Sequence, residues 1–275
     1  MTESFSAFEK EGWSKPSVAK NYADHFAQAS QMCVPVLVAA AGAGQGRRMI
    51  DLCCGQGIVA AGLVATGAEV VGVDFSPAML ELARERVAGV TFEEGDVGTL
   101  PHEDDSFDGA TMGFGIMHVP DAGTALQEAA RVLRPGGAVA WSCWHGPEKT
   151  SVLATFFAAC GQHGDPSVKL PPSPPAYHYA QPENAIPIME AAGFGDISFQ
   201  TVDAYWLCDS PDDPLRIMRD GAVRAAGLLN RQPDANAQAI SSTVANWVED
   251  TCTQTPEGQW HVPIPAVVVS GRLSS

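Results

Sequence analysis

"MIDLCCGQGIVAAGLVATGAEVVGVDFS", residues 49 to 76, carries in turn a short apolar run, a turn with two glycines, a helical pattern, a second β-branched run and an aspartate. Strand, glycine turn, helix, strand and acid in that order make the first crossover of a parallel sheet. Gly55 and Gly57 leave the main chain bare at the start of the helix, where a ligand can approach backbone N–H groups. Asp74, closing the second run, is placed to accept hydrogen bonds from the two hydroxyls of a ribose. These residues together predict an adenosine-containing ligand beyond the carboxyl ends of the strands.

The glycines alone leave the ligand open. "GQGIVA" also fits the weaker form of the dinucleotide fingerprint, so an NAD(P)-dependent oxidoreductase is one reading. The carboxylates weigh against it. Asp51 ends the first strand, where a pyrophosphate would meet a like charge in a desolvated cleft; an acid there suits a ligand with a positive group, such as the amino or sulfonium end of S-adenosylmethionine. Asp96, in "EEGDV" after a third strand, is placed to accept the exocyclic amine of adenine.

Outward from this segment the alternation continues. "VTFEEGD", "FDGATMGFGI" and "AVAWSCW" read as further strands. "SPAMLELARERV" reads as a helix capped by Ser76 with Pro77 in its first turn, and "DAGTALQEAARVL" as a helix stopped by "RPGG". From about 146 to 182 the composition shifts, ending in the proline-dense "LPPSPPAYHYAQP", which reads as an ordered loop or cap. A helix "ENAIPIMEAAGF", shortened or kinked at Pro187, a strand "DISFQTVDAYWL", two helical stretches (Pro214 to Leu229 and Ala235 to Asp250) and a final strand "WHVPIPAVVVSGRL" complete the pattern. Ahead of the first strand, "SKPSVAKNYADHFAQASQMCVPVLVAAAG" reads as an amphipathic helix, a packing element or a ligand lid. The organisation expected is a helical lid over residues 1–45 and a core over 46–275 with cap insertions at about 146–182 and 211–256.

Composition narrows the partners. A formal net charge of -16 without a basic stripe repels nucleic acid at long range. No apolar segment approaches the ~18 residues of a membrane helix. "MTESFSAFEKEGW" lacks a basic region followed by an apolar stretch, and seven cysteines fall without a disulfide rhythm; both point to the cytoplasm. Cys53 and Cys54 are adjacent, with no C-x-x-C spacing and no accompanying histidine, so they read as small buried residues and no metal is expected.

"MIDLCCGQG", "VVGVDFSPAMLELAR", "EEGDVGTLPHEDDSFD" and "RVLRPGGAVAWSCW" resemble, in order and spacing, the successive motifs of class I S-adenosylmethionine-dependent methyltransferases. The likeness is greatest to the small-molecule branch that includes the ubiquinone and menaquinone biosynthesis C-methyltransferases, and it covers about residues 45 to 145. It implies a Rossmann-like, doubly wound α/β fold: a seven-stranded, mostly parallel sheet with an antiparallel last strand, plus a small cap. It implies that Asp51, Gly55 and Gly57 hold the methionine part of S-adenosylmethionine, Asp74 the ribose, and Asp96 with the backbone of Val97 the adenine. Phe75 and Met79 would pack on the adenine faces, and the stretch from Gly113 to His118 would border the sulfonium and the acceptor. One departure stands out: a common form of the family has glycine where this chain has Cys53.

The activity expected is methyl transfer to a small-molecule acceptor by direct displacement, largely a matter of holding donor and acceptor in line. A protein that binds S-adenosylmethionine without catalysis is the alternative. His118 and His145 are candidates for a general base, or structural histidines. Tyr22, Trp144, Tyr177 and Tyr179 are candidates for the acceptor pocket, where aromatic rings favour a planar, apolar or onium group; core packing is the competing role.

Overall fold

The structure is a computed structural model and describes residues 4–274. Its ten strands, in chain order, are β1 (Arg48–Leu52), β2 (Glu69–Asp74), β3 (Thr91–Glu94), β4 (Phe107–Gly113), β5 (Leu133–Trp144), β6 (Phe194–Val202), β7 (Tyr205–Cys208), β8 (Thr253–Gln254), β9 (Trp260–Pro263) and β10 (Ala266–Leu273). Two compact units form. One comprises Ser30–Trp144, Pro174–Val202 and the stretch from Ala266 onward; the other comprises the stretch up to Ala29, His145–Ser173 and Asp203–Pro265.

The first unit holds the seven-stranded sheet, ordered β3-β2-β1-β4-β5-β10-β6. β10 runs antiparallel to both neighbours, while β1 pairs in parallel with β2 and β4. This is the mostly parallel, doubly wound arrangement with an antiparallel last strand that the family resemblance implies. Strand order reverses between β1 and β4, the place where open sheets of this kind hold ligands. Met49, Ile50 and Leu52 are fully buried, as a central strand covered on both faces requires. The helices Ile58–Ala65, Pro77–Arg86 and Ala122–Val132 follow β1, β2 and β4. Ser76 accepts the Met79 N–H and Asp121 accepts the Thr124 N–H, so two of the three begin on a side-chain cap.

The second unit holds the sheet β7-β9-β8 and most of the remaining helices. Five local expectations change along the chain. "DISFQTVDAYWL" is two strands, β6 and β7, belonging to different sheets, and "WHVPIPAVVVSGRL" likewise divides into β9 and β10. Pro263 and Pro265 lack the N–H a ladder needs, and the Ile264 N–H between them donates to Ala204 O at the break on the other strand. The stretch 146–182, read as a loop or cap, contains a twelve-residue helix, Val152–His163, capped by Ser151. The long N-terminal helix is broken: Pro16–Asn21 runs through a π-helical turn, Tyr22–Phe26, into Ala27–Gln31, and Val34–Ala40 starts afresh with Pro35 in its first turn. The helix Pro182–Ala191 continues past Pro187, so the proline does not shorten it.

Candidate active site

The site is built from the carboxyl ends of β1, β2, β4 and β5 upward. Asp51 is the penultimate residue of β1, register partner of Gly72 on β2 and of Thr111 on β4, and is 0% exposed. The Thr111 hydroxyl donates to Asp51 Oδ1 at 2.8 Å. Oδ2 is buried and accepts no hydrogen bond of ordinary length and angle among the described residues, although the Ala60 N–H lies near enough to the carboxyl to favour its charged form. Burial pushes the carboxyl up to about 7, opposed by the Thr111 hydroxyl and the Ala60 N–H, with the Asp74 charge adding to the rise. A buried acid held half-ionised at neutral pH asks for a cation.

Asp74 closes β2 and clamps the glycine turn. Its Oδ2 accepts the Gly55 N–H at 2.9 Å and its Oδ1 the Ser76 N–H at 2.8 Å, which ties the first turn to the start of the next helix. Burial raises this carboxyl too; the Ser76 and Gly55 amides and the nearby His118 counter it. Each oxygen keeps a lone pair beyond the backbone bond it accepts, so the fixed carboxylate can still receive two hydroxyls. Gly55 and Gly57 have φ of 52° and 83°, a conformation that favours glycine. A Cβ on Gly57 would also stand 3.0 Å from Val87, so that glycine lets the turn approach the next helix.

Met79 is buried, with its sulfur 4.0 Å from the position of a Cβ on Gly55, while Phe75 is half-buried. The β3 loop lies alongside: the Gly95 N–H donates to Asp74 O. In that loop Asp96 is exposed and accepts the Gly98 N–H at 2.8 Å, and Val97 is buried. Thus Asp51, Gly55, Gly57, Asp74, Met79 and the Asp96–Val97 loop share one edge of the sheet.

Two non-glycine residues at this edge have left-handed backbones, Cys53 (φ 51°) and Phe114 (φ 54°). Such strain, costing roughly 1–3 kcal/mol each, persists only where the surroundings hold it. Cys53 is held by packing: a Cβ added to Gly115 would stand 2.5 Å from its Cβ. Phe114 is held by a hydrogen bond, its N–H donating to the buried Ser142 hydroxyl at 3.1 Å, and its ring packs on Trp144 with centroids 4.1 Å apart. Gly113 pairs with Ser142 in the β4–β5 ladder. His118 ends the 3-10 turn Ile116–His118 that follows. Tyr179 O accepts the Trp141 indole N–H, and the Tyr179 hydroxyl is shifted up by burial and by the Asp121 charge. Tyr177 is half-buried beside it.

His145 and Tyr22 belong to the second unit. His145 Nδ1 lies 3.1 Å from Glu148 Oε1, and its main-chain N–H donates to Pro265 O. Tyr22 sits in an aromatic column, edge-on to Trp13 and stacked on Phe26, which in turn meets Trp206. Both cysteine thiols of the turn are pushed well up by burial and by the neighbouring carboxylates, so neither is a ready thiolate.

Thr111, Ser142 and Gln56 went unnoticed in the sequence. The first two carry no motif, and their roles come from strand register; Gln56 stands inside the quoted turn, where the glycines on either side draw the attention.

The comparisons with known proteins bear on this edge. A family model described as a methyltransferase domain matches residues 50–141. A demethylmenaquinone methyltransferase of Clavibacter sepedonicus is 46% identical over 97 residues, covering 34% of this chain and 40% of that protein. One from Staphylococcus aureus is 45% identical over 104 residues, covering 36% of this chain and 43% of that protein. The chain thus spans about two fifths of the length of these curated relatives. Among solved structures, the YcgJ protein of Bacillus subtilis superimposes with a TM-score of 0.55 at 22% identity, covering 88% of this chain and 98% of that one. Haemonchus contortus phosphoethanolamine N-methyltransferase 2, solved with S-adenosylhomocysteine, gives 0.57 at 19% identity, covering 100% of this chain and 61% of that one. These two likenesses carry the fold; the sequence matches carry the motifs from β1 to β5. Over residues 50–141, from β1 to β5, the chain therefore resembles a methyltransferase domain in sequence, on a fold shared with these solved structures.

Proposed function

We propose that the protein is an S-adenosylmethionine-dependent methyltransferase that moves a methyl group to a small-molecule acceptor by direct displacement. The observation that carries this reading is Asp51 Oδ2, a fully buried carboxylate oxygen that accepts no hydrogen bond of ordinary length and angle among the described residues, beside the glycine turn. A pyrophosphate would place a second negative charge against it; the ammonium of a methionine end neutralises it. Bound S-adenosylmethionine supplies an activated methyl group on a positive sulfur. The chain's own residues do the rest. Asp51, Gly55 and Gly57 take the methionine end, Asp74 the ribose, and Asp96 with the Val97 amide the adenine, with Phe75 and Met79 against the ring.

Phe114 and Trp144, after β4 and at the end of β5, supply apolar ring surface on the acceptor side, with Gly113 leaving room and Tyr177 and Tyr179 nearby in the same unit. This favours a flat, apolar acceptor, in keeping with the quinone-type substrate named for the curated relatives. His118, at the end of the 3-10 turn that follows β4, is the candidate within this unit to take a proton from such an acceptor. No described helix is long and apolar enough to cross a membrane. We place the reaction in the cytoplasm on the strength of seven free cysteines, and we exclude nucleic acid as acceptor on the charge of -16.

Binding calorimetry with S-adenosylhomocysteine on the full chain tests the reading. Micromolar binding is expected, and in a separate coupled assay S-adenosylmethionine should give its methyl to a naphthoquinol and leave as S-adenosylhomocysteine. Absence of any binding heat or thermal shift sinks it.

A further inference from the structure

The chain from β3 toward β4 carries six acids between residues 93 and 105 (Glu93, Glu94, Asp96, Glu103, Asp104 and Asp105) and no lysine or arginine. Like charges at this density spread a loop apart unless a cation draws it in. The cation comes from the helix Ala122–Val132. Arg131 has five guanidinium N–H donors, and all five are taken. Nε and Nη2 donate to the two oxygens of Glu128, each at 2.9 Å. Nη2 also donates to Leu100 O at 3.1 Å, while Nη1 donates to His102 O at 2.8 Å and to Asp104 Oδ1 at 2.7 Å. Glu128 Oε2 in turn accepts the Leu100 N–H at 2.9 Å. One side-chain pair thus holds both main-chain groups of Leu100 and reaches on to His102 and Asp104.

Leu100 follows directly on the turn Asp96–Thr99, which closes on itself. The Thr99 N–H donates to Asp96 O at 3.0 Å and the Gly98 N–H to Asp96 Oδ1 at 2.8 Å. The turn hangs between two fixed points. Ahead of it the Gly95 N–H donates to Asp74 O; behind it Leu100, 5% exposed, is held by Glu128 and Arg131. The same helix backs the turn itself, since a Cβ on Gly98 would stand 3.6 Å from Thr124 Cγ2. Asp96 and the Val97 amide are the groups proposed to meet the adenine ring. Removing the guanidinium takes away the bonds at Leu100, His102 and Asp104 together and leaves the Gly95 bond and those inside the turn.

We propose that Arg131 and Glu128 are positioning residues for the adenine end of the cofactor: acting through Leu100, they hold the turn Asp96–Thr99 in the shape that reads the ring. The inference rests on the proposed S-adenosylmethionine site and adds to it a residue pair on a neighbouring helix. A loop held ready in this way need not be ordered by the ligand, which corresponds to about tenfold in affinity.

The test measures, by calorimetry on the full chain, the affinities of wild type, Arg131→Gln, Arg131→Lys and Glu128→Gln for S-adenosylhomocysteine and for S-inosylhomocysteine. The second compound has a carbonyl in place of the adenine amine. The wild type is expected to favour the adenine compound. Arg131→Gln should bind S-adenosylhomocysteine about tenfold more weakly and S-inosylhomocysteine about as well as wild type, so the preference between the bases shrinks by about tenfold. Arg131→Lys keeps the charge without the planar fork and should recover part of the preference. Glu128→Gln keeps an oxygen for the Leu100 N–H and should shift the preference the same way by less; it carries the comparison if Arg131→Gln fails to fold. A lower melting temperature with the base preference unchanged would make the pair a staple of the fold alone and overturn the proposal, leaving the cofactor site standing. Failure of the wild type to bind either compound removes both.

Discussion

Thr111 on β4 donates its hydroxyl to Asp51 Oδ1 on β1 at 2.8 Å, and the two are register partners in the ladder where strand order reverses. The bond fixes one oxygen of the acid and leaves the other buried, with the carboxyl pushed up to about 7 from an ordinary value of 3.8. Folding thus favours the protonated acid, and that contribution to stability is lost as pH rises from about 4 to about 7. Asp51→Asn keeps an oxygen for Thr111 and removes the charge. Without cofactor it should be more stable than wild type at pH 8, by on the order of 1–3 kcal/mol, with no gain at pH 4. Thermal melts across that range check this; equal melting at pH 8 would mean that Asp51 is not desolvated as the fold implies.

The same titration couples to the ligand. A cation bound at Oδ2 favours the ionised acid, so binding at pH 6 should expel most of the proton the Asp51 carboxyl carries. Calorimetry of S-adenosylhomocysteine in buffers of different ionisation enthalpy should register release approaching one proton at pH 6. Affinity should climb with pH toward 7 and fall again above the ligand's own amine value of about 7.7–8.0. Asp51→Asn should abolish the release. Proton uptake by the wild type would contradict the assignment.

Asp74 has two duties, and they separate by substitution. Its carboxylate holds the Gly55 and Ser76 amides and is the proposed ribose acceptor. Asp74→Ala should lose both, with S-adenosylhomocysteine binding down by about a hundredfold and stability down by about 1–3 kcal/mol. Asp74→Asn keeps one acceptor oxygen and should recover part of the stability with little of the affinity. Full affinity in Asp74→Asn would show that no ribose hydroxyl donates there.

The frame of this site was legible because its signals are local. Ser76 reads as a cap from its place ahead of Pro77, and Asp74 reads as the acid ending a β-branched run. What was not legible depends on pairing. A period-two pattern marks "DISFQTVDAYWL" as extended, yet it cannot say that Val202 and Tyr205 join different sheets. The bond that binds Thr111 to Asp51, and the one that binds Phe114 to Ser142, each join side chain or backbone groups at least 28 residues apart. Nothing in either neighbourhood encodes the partner; register does. Cys53 lies between these cases. Its departure from the family's glycine is visible in the sequence, and its φ of 51° gives that departure a physical meaning.

That strained cysteine is paired with a glycine. Cys53 has the backbone of a glycine, and Gly115 lacks the methyl that would collide with Cys53 Cβ at 2.5 Å and Met112 Cγ at 2.8 Å. Cys53→Gly should be within about 1 kcal/mol of wild type, relief of strain offsetting lost contact. Gly115→Ala should cost about 1–3 kcal/mol. The double variant should recover at least part of that cost, leaving a favourable coupling of about 1 kcal/mol measured by denaturant melts. Strict additivity would mean that the two turns do not press on each other.

On the acceptor side the testable joint is Ser142. Its hydroxyl accepts the Phe114 N–H at 3.1 Å and so holds a left-handed residue whose ring packs on Trp144 at 4.1 Å. Ser142→Ala leaves that N–H buried without a partner, at a cost of about 1–3 kcal/mol, and lets Phe114 relax toward an ordinary backbone. The ring would then leave Trp144. The Asp51 and Asp74 carboxylates bond to Thr111, Gly55 and Ser76, on the other side of the turn from the Phe114–Ser142 bond. S-adenosylhomocysteine affinity should therefore stay within about twofold, while the near-ultraviolet dichroism of the aromatic pair changes and KM for an identified acceptor rises by about tenfold. The opposite division, with cofactor binding lost and acceptor KM untouched, would move Phe114 and Trp144 from the acceptor side of the site to the cofactor side.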